Sequence, residues 1–358
     1  MIQLNSDQMN SLVAFRSCFI EYPAISEIFG VFDRLRLNRH LGGEQESMLL
    51  TGETGSGKTA LVNQYLAKNP TNSTHSFADQ KILSTRIPSN ISEEGTIQQF
   101  LTDLNNKASS SRTNNRKKAP ALAKGIVRQI KDKNVELIIV NEIQELIEFS
   151  TADMRQEIAN TFKYISEEAK VPFVLVGMPY AGVLANEAQW SSRLGWRREI
   201  DYFRLFKHQD TEDRESPSIP DIEGKEHFAR FVAGLASRMQ LDQKPILTGD
   251  DILYPLFSIC SGECRKLKHF LEDALLNSFL QAKPTIDKKV LSATFVQKYP
   301  KQQNPFECSI EQIEIRELKE VSRYNLSATS KEDKMLPRLL TDALPTGLLL
   351  SNKPLRRG

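Results

Sequence analysis

Residues 52–59 read Gly52-Glu53-Thr54-Gly55-Ser56-Gly57-Lys58-Thr59: a glycine, four residues, then Gly-Lys-Thr. Ahead of them, 47–51 (Ser-Met-Leu-Leu-Thr) is short and apolar enough for a buried strand. Behind them, 60–68 (Ala-Leu-Val-Asn-Gln-Tyr-Leu-Ala-Lys) suits a helix that stops before Pro70. Strand, loop and helix in that order form the context of a phosphate-binding loop. Gly55 and Gly57 let backbone N–H groups turn inward around phosphate oxygens, and the helix N-terminus adds its positive end. Lys58 is placed to reach the β- and γ-phosphates, and the Thr59 hydroxyl to hold Mg²⁺. A chance Gly/Ser/Thr turn would not bring both flanks with it. The loop implies ATP and Mg²⁺ as ligands.

A second signal lies at 135–146. The apolar run Val135-Glu136-Leu137-Ile138-Ile139-Val140 leads into Asn141-Glu142-Ile143-Gln144-Glu145-Leu146. An apolar strand ending in two acids is the usual Walker B pattern: the first acid orients Mg²⁺ and its waters, and the second polarises the attacking water. Here Asn141 holds the first place, and Glu142 is the expected catalytic base. Further strands are expected at 82–88 and 171–177, with helices from Ser92 and over 154–169. Alternating β and α elements imply an α/β fold, a parallel sheet with helices on both faces and nucleotide at the carboxyl ends of the strands.

Composition sets outer bounds. The 358 residues carry 47 Lys+Arg and 45 Asp+Glu, a net charge of +2, so any nucleic-acid surface must be local. Cys18, Cys260, Cys264 and Cys308 have neither metal-ligand nor disulfide-framework spacing. With no signal peptide and no apolar run of spanning length, the expectation is a reduced, soluble, cytoplasmic protein with no membrane partner.

Around the nucleotide core the sequence divides into four parts: an N-terminal helical segment (1–45), an α/β domain (46–210), a helical lid (225–300) and a flexible tail (301–358). In the first, Arg34, Arg36 and Arg39 read as a solvated face, with contact to adenine or a neighbouring subunit as the sharper reading. Between 105 and 131 a Ser/Asn-rich loop and the helix after it carry Lys107, Arg112, Arg116, Lys117, Lys118, Lys124 and Arg128. These are either a solvated surface or a contact to DNA phosphates. A polar linker at 211–224 leads to amphipathic helices at 227–239, 248–260, 265–281 and after Asp287. The tail has no steady period and reads as disordered or as a tether carrying short partner-binding stretches.

The phosphate loop, the run Ile-Ile-Val-Asn-Glu-Ile-Gln-Glu-Leu at 138–146 and Val-Gly-Met-Pro at 176–179 together resemble the AAA+ P-loop ATPases, and among them the TnsC/TniB transposition regulators. The likeness spans about 10–300, and the compact size with the N-terminal block around Phe29-Gly30 through Leu41-Gly42-Gly43 suggests the short forms of CRISPR-associated transposons. The resemblance implies an ATPase that assembles with itself in a ring or filament on double-stranded DNA. It would take target-site information from a TniQ-type protein and recruit transposase subunits. It also directs attention to an arginine finger, Arg193 first with Arg197 and Arg198 as alternates in a basic turn, each of which also reads as an ordinary surface arginine. Arg265 stands in a Gly-x-x-Arg pattern like that of sensor 2, and Met178 stands where sensor 1 should be polar. Asn141 and Met178 lead us to expect slow, assembly-dependent hydrolysis. An AAA+ loader or remodelling motor, and a nucleotide-gated signalling switch, are the rival readings.

Overall fold

The computed structural model describes residues 4–70, 81–88, 92–105, 119–207, 219–319, 340–344 and 346–350. The described residues fall in two compact units, one within Pro23–Asp201, the other within Met1–Tyr22, Tyr202–Ser322 and Pro337–Gly358. The N-terminal segment is divided between them: α1 (Ser6–Ser17) falls in the second unit and α2 (Pro23–Leu41) in the first.

The first unit is built on a five-stranded, all-parallel sheet. In chain order it runs β1 (Met48–Gly52), α3 (Lys58–Lys68), β2 (Ile82–Arg86), α4 (Glu93–Asn105), α5 (Ala119–Asp132), β3 (Leu137–Asn141), α6 (Glu145–Phe149), α7 (Ala152–Ala169), β4 (Phe173–Gly177), α8 (Ala188–Ser191) and β5 (Trp196–Ile200). The spatial order is β2-β3-β4-β1-β5. Strands β1 and β4 are buried at every position, as expected of central strands covered on both faces. Because all strands run the same way, the loops after β1, β3 and β4 open at one edge of the sheet. Only β4 separates β1 from β3, so the phosphate loop and the Asn141-Glu142 turn are brought to that edge together.

Arg197 and Arg198, expected in a basic turn, lie instead in strand β5. They are paired beside Leu49 and Leu50 of β1. The strand is disguised in sequence because its middle three residues, Arg197, Arg198 and Glu199, are charged and all exposed. A strand at a sheet edge carries charge without burying it, and that charge protects the open edge from pairing with another chain.

The face of α2 that carries Ile25, Ile28, Phe29, Phe32 and Leu35 is buried, and Phe29 and Phe32 pack their rings on Tyr65 of α3. Arg36 is not a solvated residue. Its guanidinium donates to Glu136 Oε2 through Nε (2.9 Å) and a terminal nitrogen (2.6 Å), and to Asn69 Oδ1 at 2.7 Å and Tyr65 Oη at 3.2 Å. Tyr65 donates in turn to Asp33 at 2.6 Å. Burial opposes the charge on Arg36, but its bonds to Tyr65 and Glu136 prevail and hold its pKa above the usual value. One network thus ties α2, the far end of α3 and the entry to β3.

The second unit is helical: α9 (Ile222–Ala236), α10 (Asp250–Cys260), α11 (Cys264–Leu280) and α12 (Lys288–Lys298), with α1 against α11 and a two-stranded ladder of β6 (Phe206–Lys207) and β7 (Ile219–Pro220). Asp287 starts α12 by accepting from Val290 N at 2.9 Å, a side-chain N-cap. Gly262, at φ +79°, lies so near Phe203 that a Cβ would stand 2.0 Å from the Phe203 carbonyl oxygen. The expectation of a tail without structure from 301 onward is corrected at its start. Phe306, Ile313 and Ile315 belong to the unit's apolar core. Fully buried Glu317 accepts from the backbone N–H groups of Leu205 (2.5 Å) and Phe206 (3.2 Å). Ile313, Ile315 and Glu317 alternate at period two, too short a run to stand out beside the prolines.

Candidate functional site

The loop between β1 and α3 is shaped to receive an anion. Gly52 ends the strand, and a Cβ there would stand 2.6 Å from the Ile200 carbonyl oxygen and 2.9 Å from Ser56 Oγ. Gly55 and Gly57 sit at φ +81° and +105°, the left-handed region where a side chain is strained. Glu53 closes the turn by accepting from Ser56 N at 3.2 Å. Gly57 is the N-cap of α3 and gives this eleven-residue helix no side-chain cap, so the positive end of the helix dipole lies at the loop. Lys58 folds over the loop, its Nζ donating to the carbonyls of Gly52 (2.6 Å) and Glu53 (3.0 Å). Ser56 Oγ is buried without a hydrogen-bond partner. Thr54 and Thr59 are exposed. Left-handed glycines, a lysine folded over the loop and a buried hydroxyl without a partner together fit a polyphosphate.

The turn after β3 is held to β4 by the hydrogen bond from Ile143 N to Val176 O at 3.0 Å. Asn141 is committed at its donor end: Nδ2 donates to Thr85 O (3.0 Å) and Ser84 Oγ (3.2 Å) of β2. Its Oδ1 is a neutral acceptor where the usual pattern has a carboxylate. Glu142 is exposed and takes φ +58°, uncommon for a residue with a side chain. Met178 follows β4, and its backbone N–H donates to Gln144 Oε1 at 3.2 Å. No cluster of three or more His, Cys, Asp or Glu suited to a metal is present among the described residues. The donor set of Thr59 hydroxyl and Asn141 amide oxygen fits Mg²⁺ carried in on phosphate oxygens with its waters, not an all-protein cage.

The three candidate finger arginines each have a partner within the unit. Arg193, its side chain 14% exposed, pairs with Glu167 of α7. Arg197 donates to Ala185 O at 3.2 Å, and Arg198 lies over the Trp196 ring, 5.5 Å from its centroid. Arg265, at the start of α11 in the second unit, is exposed. Of the DNA candidates, Lys124 and Arg128 stand one turn apart on the exposed side of α5, whose opposite side buries Ala123, Ile126, Val127 and Ile130. Arg128 faces Asp132 at 3.6 Å. Lys107, Arg112, Arg116, Lys117 and Lys118 lie outside the described residues.

Comparison with known proteins bears on this arrangement. The family described as "Bacterial TniB protein" matches residues 13–200, more than half of the chain. The chain belongs to the TniB family. TniB proteins are TnsC-like AAA+ transposition proteins. No curated protein matches. Among solved structures, the Aeropyrum pernix ORC2 protein in its ADPNP–ADP complexes is similar at TM-score 0.57 and 15% identity, over 78% of this chain and 70% of that one. Cdc6p from Pyrobaculum aerophilum (TM-score 0.53, 13% identity, 80% and 70%) and Aeropyrum pernix ORC1 in complex with DNA (0.52, 12%, 80% and 68%) are similar too. At such identities the likeness concerns the fold, which is that of the AAA+ ATPases. Among the described residues no helix is long and apolar enough to cross a membrane.

Proposed function

We propose that this TniB-family protein is an ATP-switched scaffold that assembles on double-stranded DNA and links a TniQ-type target selector to the transposase. One observation carries the nucleotide part: the phosphate cradle at 52–59, with Gly55 and Gly57 in left-handed backbone, Lys58 folded over the loop and no side-chain cap on α3. Lys58 would bind the β- and γ-phosphates, and backbone N–H groups of the loop other than that of Ser56, which donates to Glu53 O, would wrap them. Bound there, Mg²⁺ would offset phosphate charge, with Thr59 and Asn141 as the residues nearest in kind to its needs. Glu142 would take a proton from the attacking water.

Family membership supports the transposition role, and the DNA-bound ORC1 relative is consistent with duplex DNA as partner. Lys107, Arg112, Arg116, Lys117, Lys118, Lys124 and Arg128 are the proposed phosphate contacts, and Arg193, Arg197 or Arg198 the residues from which a finger would come. Because Arg193 is paired with Glu167 inside its own chain, service across a subunit boundary would require exchanging that partner. Arg265 is proposed to sense nucleotide from the helical unit. Asn141 and Met178 support a slow ATPase, since neither supplies the charge or side-chain donor that fast hydrolysis uses. A protein of this kind works in the cytoplasm.

The test is binding of a fluorescent ATP analogue and of duplex DNA by wild type and Lys58→Ala. Loss of both nucleotide binding and ATP-dependent DNA binding in the variant is expected. DNA binding by Lys58→Ala at wild-type affinity with ATP would refute the switch.

A further inference from the structure

The turn after β3 holds a side chain that its motif does not call for. Gln144 is 7% exposed, although Glu142 two residues earlier lies open. Its carboxamide is used at both ends: Nε2 donates to Glu142 Oε2 at 2.5 Å, and Oε1 accepts from Met178 N at 3.2 Å. Only this orientation of the amide satisfies both neighbours, because a carboxylate needs a donor and an N–H needs an acceptor. The surroundings are shaped to it. A Cβ at Gly177 would stand 2.9 Å from Gln144 Oε1 and 2.6 Å from Ile143 Cγ2, so the glycine before Met178 gives the amide its room. On the other side, the left-handed backbone at Glu142 sets the direction in which that carboxylate leaves the chain.

We propose that Gln144 is the positioning residue for Glu142 in nucleotide hydrolysis, and that Met178 acts through its backbone N–H, relayed by Gln144, where a polar side chain is missing. The inference rests on the hydrolytic reading of the site above. With Oε2 engaged by Gln144, Oε1 is the oxygen that accepts the water's proton, and the same hydrogen bond fixes the carboxylate's rotation. The bridge runs from the end of β3 to the end of β4, so it registers any shift between these two neighbouring strands at the carboxylate.

Two variants test it. Gln144→Leu removes both hydrogen bonds at nearly constant volume; it should lower kcat between roughly tenfold and a hundredfold while nucleotide affinity stays within about twofold. Gln144→Glu keeps the acceptor for Met178 but donates to Glu142 only when protonated, so its kcat relative to wild type should rise as pH falls from about 8 to about 6. A merely structural role would not produce that profile. A third readout needs no nucleotide: with ¹⁵N-methionine labelling of the seven methionines, Met178 N–H should exchange with solvent at least about tenfold faster in Gln144→Leu. A Leu variant as fast as wild type or faster, a loss confined to affinity, or a flat ratio for Gln144→Glu would overturn the proposal. A wild type that binds nucleotide without hydrolysing it would sink the hydrolytic reading itself, and the Met178 exchange rate would still show whether the bridge exists.

Discussion

Replacing Arg36 by methionine isolates the ion-pair network that anchors the phosphate-loop helix. The guanidinium makes two hydrogen bonds to Glu136, whose side chain is 7% exposed, and one each to Asn69 and Tyr65. Methionine keeps the packing of the stem but strands the Glu136 carboxylate. Removing one partner of a buried pair costs about 3–5 kcal/mol. His40 at 3.6 Å and Lys81 at 3.9 Å remain near Glu136, but both are about half-exposed and screened, so they restore only part. The expected loss is about 3 kcal/mol. Both tryptophans, Trp190 and Trp196, belong to the sheet unit, so tryptophan fluorescence during urea unfolding reports on that unit alone. The double variant Arg36→Met with Glu136→Gln should recover about 1–2 kcal/mol of the sum of the single losses, since neither charge is then left unpaired. A single-variant loss below about 1 kcal/mol, or strict additivity in the double variant, would show that Glu136 is not stranded when Arg36 is removed.

Burial, then the bond to Asp33, pushes the Tyr65 hydroxyl pKa up. The stability this contributes is complete below the unfolded tyrosine value of about 10 and is lost as pH rises beyond it, so Tyr65→Phe should flatten the alkaline fall in urea midpoint. Asn141→Asp should quicken hydrolysis by supplying the missing negative charge. It also loses the donor to Thr85 O, so it should lower stability by about 1–2 kcal/mol, measured by the same fluorescence. Glu317→Ala strands the N–H groups of Leu205 and Phe206 and should cost the helical unit about 2–4 kcal/mol, read as a lower melting temperature by circular dichroism. Burial pushes the Cys260 thiol up to about 12, so mass spectrometry after alkylation near neutral pH should find it unmodified until denaturant is added.

The strongest sequence signals were those in which local chemistry and structure coincide. Residues 52–59 declare a loop because glycine and lysine are demanded there by backbone angle and charge. The apolar runs of β1, β3 and β4 declare central strands because both faces are covered. Elements whose cause lies far along the chain were hidden. Arg36 finds Glu136 a hundred residues away, and nothing in Leu35-Arg36-Leu37 distinguishes a buried arginine from a solvated one. Strand β5 is disguised by its own charges. Gln144 stands in its motif with no partner legible in sequence, because Gly177 and Met178, which it meets, come from the end of the neighbouring strand. The pairing of Arg193 with Glu167 could not be read from spacing either.

Nucleotide binding at 52–59 is proposed to switch assembly on DNA. Electron microscopy of wild type and Lys58→Ala with duplex DNA and a non-hydrolysable ATP analogue, repeated without nucleotide, addresses it most directly. Rings or filaments enclosing duplex are predicted for wild type with the analogue, and none without it or with Lys58→Ala. A nucleotide-bound wild-type protein that stays monomeric beside DNA, or assemblies that form equally well without nucleotide, would contradict it.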